Sequence, residues 1–394
     1  VAVSAVGPSA SAVTYYLGDG SVTVDQDSNG AFSYQVKEGE SADGSDSKHT
    51  YVNEDTADNG VINVRDGNAP TEEVPPTTDT SSNGTEETTS TDTVTDSSGN
   101  NAENSPTAET TTPNTITVKE DVTGATIVVE GVNVDTSTQT DPLAEVPADA
   151  DTKEDKTIIK VGEGADVDLT VKDSNLTTGG HGIDIGVNLD DKDDNKGAKV
   201  DLTLDNTQIN LTQNGKAGIN VQDNSDVKLT LKGDDNLIDG SKAIENEKEN
   251  ILKNNVNVEG IRVGDGGASD GSGTSAGANT KLTISGGVEK TETAETDTEE
   301  TESPAGGSLT ISKTTGGLAM ADGSHVEITD GADVTIEDTK TSGATQAGRA
   351  VTQHGDLTIS GGSSLTIDGV EDNNAPHTGI GIASWDDITV EDGS

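Results

Sequence analysis

The segment "GDLTISGGSSLTIDGV" (residues 355–370) states one short phrase twice, and close variants recur through the second half of the chain. They are "ADVDLTVKD" from Ala165, "AKVDLTLDN" from Ala198, "SDVKLTLKG" from Ser225, "TKLTISGG" from Thr280, "GSLTISKT" from Gly307, "SHVEITDG" from Ser324 and "ADVTIEDT" from Ala332. Each reads as a short strand: in "DVDLTV", Val167, Leu169 and Val171 face one way while Asp168 and Thr170 face the other. A second phrase interleaves with the first: "HGIDIG" at His181, "AGINVQ" at Ala217, "GIRVGD" at Gly260, "GLAMAD" at Gly317, "GRAVTQ" at Gly348 and "TGIGIA" at Thr378. One strand type alternating with another every ~20 to 30 residues has the period of a solenoid coil.

Strands this short cannot build a thick core, and only 28% of the residues are hydrophobic and 2% aromatic. Stacked coil on coil at about 4.8 Å, however, each strand satisfies the backbone of the next, and the inward Leu, Ile and Val line one thin aliphatic core. Gly, Asn and Asp between the phrases supply the positive φ that corners require. The predicted architecture is therefore all-β: a parallel β-helix over residues 116–394, preceded by a small β module and a disordered linker. An antiparallel sandwich is the competing architecture, and it would not produce two alternating phrases. The last residues, "DITVEDGS", still follow the pattern, so a terminal cap is expected to be missing.

Ahead of the repeats, "VAVSAVGPSASA" (residues 1–12) is small and apolar and ends in an A-x-A pattern, as the remnant of a secretory signal peptide would. Residues 13–68 hold every tyrosine and the only phenylalanine, and "SVTVDQDSNGAFSYQV" predicts a hairpin turning at Asn29-Gly30. Residues 69–115 are rich in Thr, Ser, Glu and Pro and read as a solvated disordered linker. The acidic stretch "EKTETAETDTEETESPAGG" (289–307) reads as an insertion in the repeats.

The pairing of "G-I-x-I/V" with "D-L-T-I-S-G-G" resembles a family of secreted bacterial carbohydrate-binding β-helix proteins, some of which engage plant cell-wall polysaccharide and carry bound calcium. It is also similar to repeat regions of large Gram-positive surface adhesins. The likeness is best from "GIRVGD" onward, and the Thr/Glu-rich insertions depart from it. It implies a secreted or cell-surface protein with a polysaccharide or host or plant glycan as partner.

A formal net charge of -50 excludes nucleic acid and anionic membrane surfaces as partners unless cations bridge. No apolar run is long enough to insert in a membrane. Zero cysteines exclude disulfides and thiolate metal sites. The module is expected to be monomeric.

Calcium is the first candidate cofactor, because "LDDKDDNKG" offers Asp190, Asp191, Asp193, Asp194 and Asn195 on one tight loop. Its glycine falls one place late for an EF-hand loop and no bidentate Glu follows, so a solvated acidic corner competes. "DQDSNG" at Asp25 has similar spacing between strands, where a hairpin turn is the simpler reading.

Sugars stack on aromatic rings, and the repeats contain one aromatic residue, Trp385, followed by Asp386 and Asp387 as hydroxyl acceptors. A ring covering an open solenoid end is the alternative. Arg262 and Arg349, in the second phrase, are candidate forks for acidic sugars, against a reading as solvated outward residues. His181, His325, His354 and His377 read as polar corner residues. Catalysis has no motif behind it: with 73 acidic residues paired carboxylates cannot be singled out. A polysaccharide lyase with an arginine base is the third reading, after a glycan binder and a ligand-free adhesin spacer.

Overall fold

The computed structural model describes residues 13–28, 30, 32–37, 61–67, 111–137, 156–189, 196–247, 256–264, 279–289, 303–304, 306–340, 348–371 and 379–394. Over these residues the chain winds as a three-sided parallel β-helix. One coil runs from Ile159–Gly162 in sheet B, through Asp166–Lys172 in sheet A and Asn175–Thr178 in sheet C, and back to Ile183–Val187 in sheet B. Sheets A and B have ten strands each and sheet C seven. All pairings between coils are parallel, which excludes the sandwich.

Stacking is in register. Val167, Leu169 and Val171 lie beside Val200, Leu202 and Leu204, and these beside Val227, Leu229 and Leu231. All nine are buried, so the side-chain period of two places each aliphatic column in the core as the alternation predicts. The "LTI" phrase serves two different sides. "KLTIS" (Lys281–Ser285) is in sheet A, whereas "SLTIS" (Ser308–Ser312) is in sheet C. The opening duplication is thus two adjacent sides of one coil, Asp356–Ile359 in A and Ser364–Asp368 in C. Between sheets A and C the chain turns through Asp173 (φ 47°) and Asn206 (φ 51°), residues that tolerate the left-handed region.

Residues 13–68, expected as a separate module, instead supply the first strands of the solenoid. Val61–Arg65 pairs in parallel with Thr123–Glu130, and Ser21–Gln26 with Ile116–Val118. The expected hairpin is present: Phe32–Lys37 runs antiparallel to Ser21–Gln26 and closes the edge of sheet B. Residues 111–115 of the predicted linker also belong to the coil, since Thr112 bridges Val134 and donates from Oγ1 to the Leu17 carbonyl at 3.2 Å. The leader, residues 68–110 and the interior of the acidic insertion lie outside the described residues. At the base of that insertion Val288–Glu289 pairs with Ser303–Pro304. In the last coil Ile382, Ile388 and Val390 are exposed.

Sheet A carries a charge pattern on its outer surface that the repeat phrases alone do not reveal. Register aligns Arg65, Glu130, Lys172, Asp205 and Lys232 in one row and Asp166, Lys199, Asp226 and Lys281 in another, with sign alternating at every step. Contacts at 2.9 Å (Arg65–Glu130) and 3.1 Å (Lys199–Asp166) follow, and the hydrogen-bonded Asp166 carboxylate holds the Lys199 ammonium above the usual lysine range. Single exposed pairs contribute little, but like charges set directly opposite across strands are destabilising. Lys199→Asp, which places three acids in a row, should therefore lower the melting temperature at low salt, with the deficit shrinking in about 0.5 M NaCl. A deficit indifferent to salt would show that the row plays no electrostatic part.

Candidate functional site

The longer connections recur most often where sheet C leads into sheet B: there the chain runs through 136–158, 240–257, 338–348 and 369–379, beside short links at 179–182, 212–215 and 313–315. The connections from A to C are mostly minimal, at 131–132, 173–174, 206–207, 233–235, 330–332 and 360–363. The two exceptions are 286–307 and, in the first coil, 66–111, between Arg65 in sheet A and Thr112, which bridges Val134 of sheet C. From B to A the long links are 38–60, 188–198 and 264–280, among short ones such as 354–355 and 385–387. Insertions that recur at one corner of a solenoid often mark its binding face.

Several polar side chains on this sheet are buried rather than solvated, Asp184, Asn220 and Glu259 among them. Register sets Lys160, Asp184, Asn220 and Arg262 in one row. The Asp184 carboxylate accepts from Asn220 Nδ2 at 2.8 Å and Gln222 Nε2 at 3.0 Å, and both Asp184 and Asn220 are buried. On the strand Val258–Val263 the Arg262 guanidinium donates to Glu259, whose side chain is only 2% exposed. Burial pushes the Glu259 carboxyl above its ordinary range, and the Arg262 charge acts against this. A buried, hydrogen-bonded pair of this kind is a structural fixture, because withdrawing either partner strands the other's charge. Arg262 is thus neither the solvated residue nor the free fork that its sequence position suggests.

Arg349 is different. It lies on sheet B with Gly316–Met320 between its strand and that of Arg262. The chain has three arginines; Arg65 and Arg262 are paired with carboxylates, whereas among the described residues Arg349 forms no ion pair and its buried Nη1 has no partner. Its Cζ lies 5.9 Å from the centre of the Trp385 ring, within cation–π range.

Trp385 sits at the corner where sheet B leads into sheet A, one coil above His354. The register is fixed by backbone bonds from His354 to the Met320 carbonyl and from Trp385 to the Gln353 carbonyl. The two rings stack with centroids 4.2 Å apart and planes within 8°. Trp385 is 55% exposed, so its ring neither closes the core nor packs into it. Asp386 and Asp387 follow it on the exposed turn, with the Asp387 carbonyl held by Gln353 Nε2 at 2.7 Å. The structure therefore brings together Arg349, Trp385, Asp386 and Asp387 from the sequence-predicted set, adds His354 to them, and leaves Arg262 apart. What sequence reading missed was the stacking of His354. The signal was its position, since "VTQH" and "IASW" end equivalent strands.

The predicted calcium ligands Asp190, Asp191, Asp193 and Asn195, with Asp194, lie outside the described residues. The described ends of that loop are tied down: Leu189 N–H donates to Glu120 at 2.7 Å and Lys196 meets Asp121 at 3.2 Å. Asp25 in the other calcium-like stretch is engaged by Lys119 at 2.9 Å. Among the described residues no group of three or more His, Asp or Glu is arranged to hold a metal ion. His181 is a corner residue whose Nδ1 accepts from the Ala217 N–H at 3.0 Å, His325 begins a sheet A strand, and His377 lies outside the described residues. Among the described residues no helix is long and apolar enough to cross a membrane. No protein-family model, curated protein or solved structure matches this chain.

Proposed function

We propose that this chain is an extracellular bacterial surface solenoid that binds glycan on a flank of sheet B, with calcium assisting at acidic loops. The observation that carries the reading is that a corner of this sheet exposes Trp385 beside the Arg349 guanidinium, which forms no ion pair among the described residues. An exposed indole offers the apolar face of a pyranose a stacking surface, and Asp386, Asp387 and Arg349 supply acceptors and donors for hydroxyl or carboxylate groups. The secretion-like leader and the acidic loops motivate the location and the cation.

A glycan array probed with the full chain, with calcium and then with chelator, tests the reading. Binding is expected, weakened by chelator, and Trp385→Ala should lower affinity about tenfold or more. The second reading, a spacer without a ligand of its own, is favoured by the aromatic-poor outer surface of sheet A with its two charge-alternating rows. It takes over if the array stays silent across plant and mucosal glycans under both conditions.

A further inference from the structure

The corner at Trp385 contains two buried nitrogens with no hydrogen-bond partner among the described residues: Nη1 of Arg349 and Nε2 of His354. We infer that His354 is a positioning residue for the Trp385 platform, and that the ionisation of its imidazole sets how firmly the platform holds a sugar ring. This rests on the glycan reading above.

The imidazole covers one face of the indole at 4.2 Å and 8°, and Trp385 as a whole stays 55% exposed. A stacked backing ring restricts the indole to one orientation before any ligand arrives, and a ligand that meets a pre-ordered ring avoids the cost of ordering it. In the neutral imidazole, Nε2 can remain a bare acceptor; in the imidazolium it must carry an N–H, buried and with nothing to accept it.

The charged groups on the surrounding elements are Arg349 in the same strand, Asp322 on the turn one coil below, Asp356 at the start of the next strand, and Asp386 and Asp387 on the turn above. None of these carboxylates forms an ion pair with His354 among the described residues, whereas the fixed charge of Arg349 lies against the same indole. An imidazolium is drawn to the indole face, but in this stack it would keep a buried N–H with no acceptor among the described residues, over a ring that the Arg349 guanidinium also approaches. The charged ring therefore leaves the stack, the indole gains freedom, and the platform weakens when the imidazole is protonated.

The chain has a single tryptophan, so its emission reports this corner without any ligand. Emission of the full chain followed from pH 8 to 5 should show one transition that His354→Gln lacks. Affinity for cellohexaose and for hexagalacturonate, measured at the same pH values, should fall about three- to tenfold towards pH 5 in the parent chain for whichever sugar binds, and stay flat in His354→Gln. Far-UV circular dichroism, and His354→Asn as a second variant, separate loss of the stack from loss of the fold.

A flat emission profile in the parent, or the same transition in His354→Gln, overturns the inference. If sugar binds with an affinity indifferent to pH, the glycan reading stands and the inference fails. If neither sugar binds at any pH while the His354-dependent transition is present, the glycan reading fails and the positioning of the indole by His354 stands.

Discussion

Leu202→Ala should cost about 2–5 kcal/mol of folding free energy and Thr203→Ala beside it well under about 1, although the two residues are adjacent in a seven-residue strand. Leu202 is wholly buried, with Leu169 in the coil below and Leu229 in the coil above. Its loss leaves a void between two strands held in register, which cannot collapse to fill it. Leu357→Ala against Thr358→Ala repeats the test near the C-terminal end, where the expectation is smaller. Leu357 is equally buried, but its upper neighbour Ile388 is 42% exposed and free to settle into the gap. The Leu202 substitution should therefore fall towards the top of the range and the Leu357 substitution towards the bottom. Urea unfolding of the four variants, with hydrogen exchange to catch local opening of the last coils, measures both differences. Equal losses for Leu and Thr within either pair would mean that the strands do not alternate inside and out.

That alternation is the part of the fold most fully written in the residues. Val167, Leu169 and Val171 declare their face by period alone, and the phrase repeats because every coil presents the same cross-section to the next. The number of sides was harder to read. In the first coils sheet C uses "NLTT" and "QINL", which share little with "DLTV", so the third side left no phrase to count. Later coils use "LTI" for both A and C, so one phrase concealed two locations. The first strands were separated from their partners for a different reason: Val61–Arg65 and Thr123–Glu130 pair across a long polar stretch, and composition records the interruption but not the pairing. At the site, Trp385 and its two aspartates are exposed neighbours in the structure. Which arginine was free could not be read, because Arg262 is neutralised by Glu259 three residues away, in a geometry that depends on both pointing to the same side of the sheet.

The "GG" of "TTGGLAM" sharpens the same point, since its two glycines look interchangeable and should respond oppositely to one methyl group. Neither has a left-handed backbone. A Cβ on Gly316 would lie 3.7 Å from Glu259 Cγ and 3.8 Å from the Arg349 carbonyl oxygen, ordinary contacts. Gly316→Ala should be neutral or stabilising by about 0.4–1 kcal/mol, through the entropy removed from the unfolded chain. A Cβ on Gly317 would run into Cγ2 of Ile336 and lie 2.9 Å from the Ala350 carbonyl oxygen. Its equivalents behave alike: on Gly182 and Gly218 the added atom would meet Cγ2 of Ile209 and of Ile238, each at 2.5 Å. In these coils the glycine is therefore required for space, where sheet B passes close to the isoleucines of sheet C, whereas in the coil above Gly317 the equivalent place is held by Ala350. Those isoleucines are β-branched and held between coils, so they have few rotamers to retreat to. Gly317→Ala should cost about 1–3 kcal/mol, or more if the Ala350 peptide must also move. A double-mutant cycle identifies the cause: in an Ile336→Ala background the Cγ2 is gone, and the penalty for Gly317→Ala should shrink by about 1 kcal/mol or more. A penalty of the same size in both backgrounds would place the strain in the backbone contact with the next coil rather than in the core, and equal responses at Gly316 and Gly317 would deny the close approach altogether.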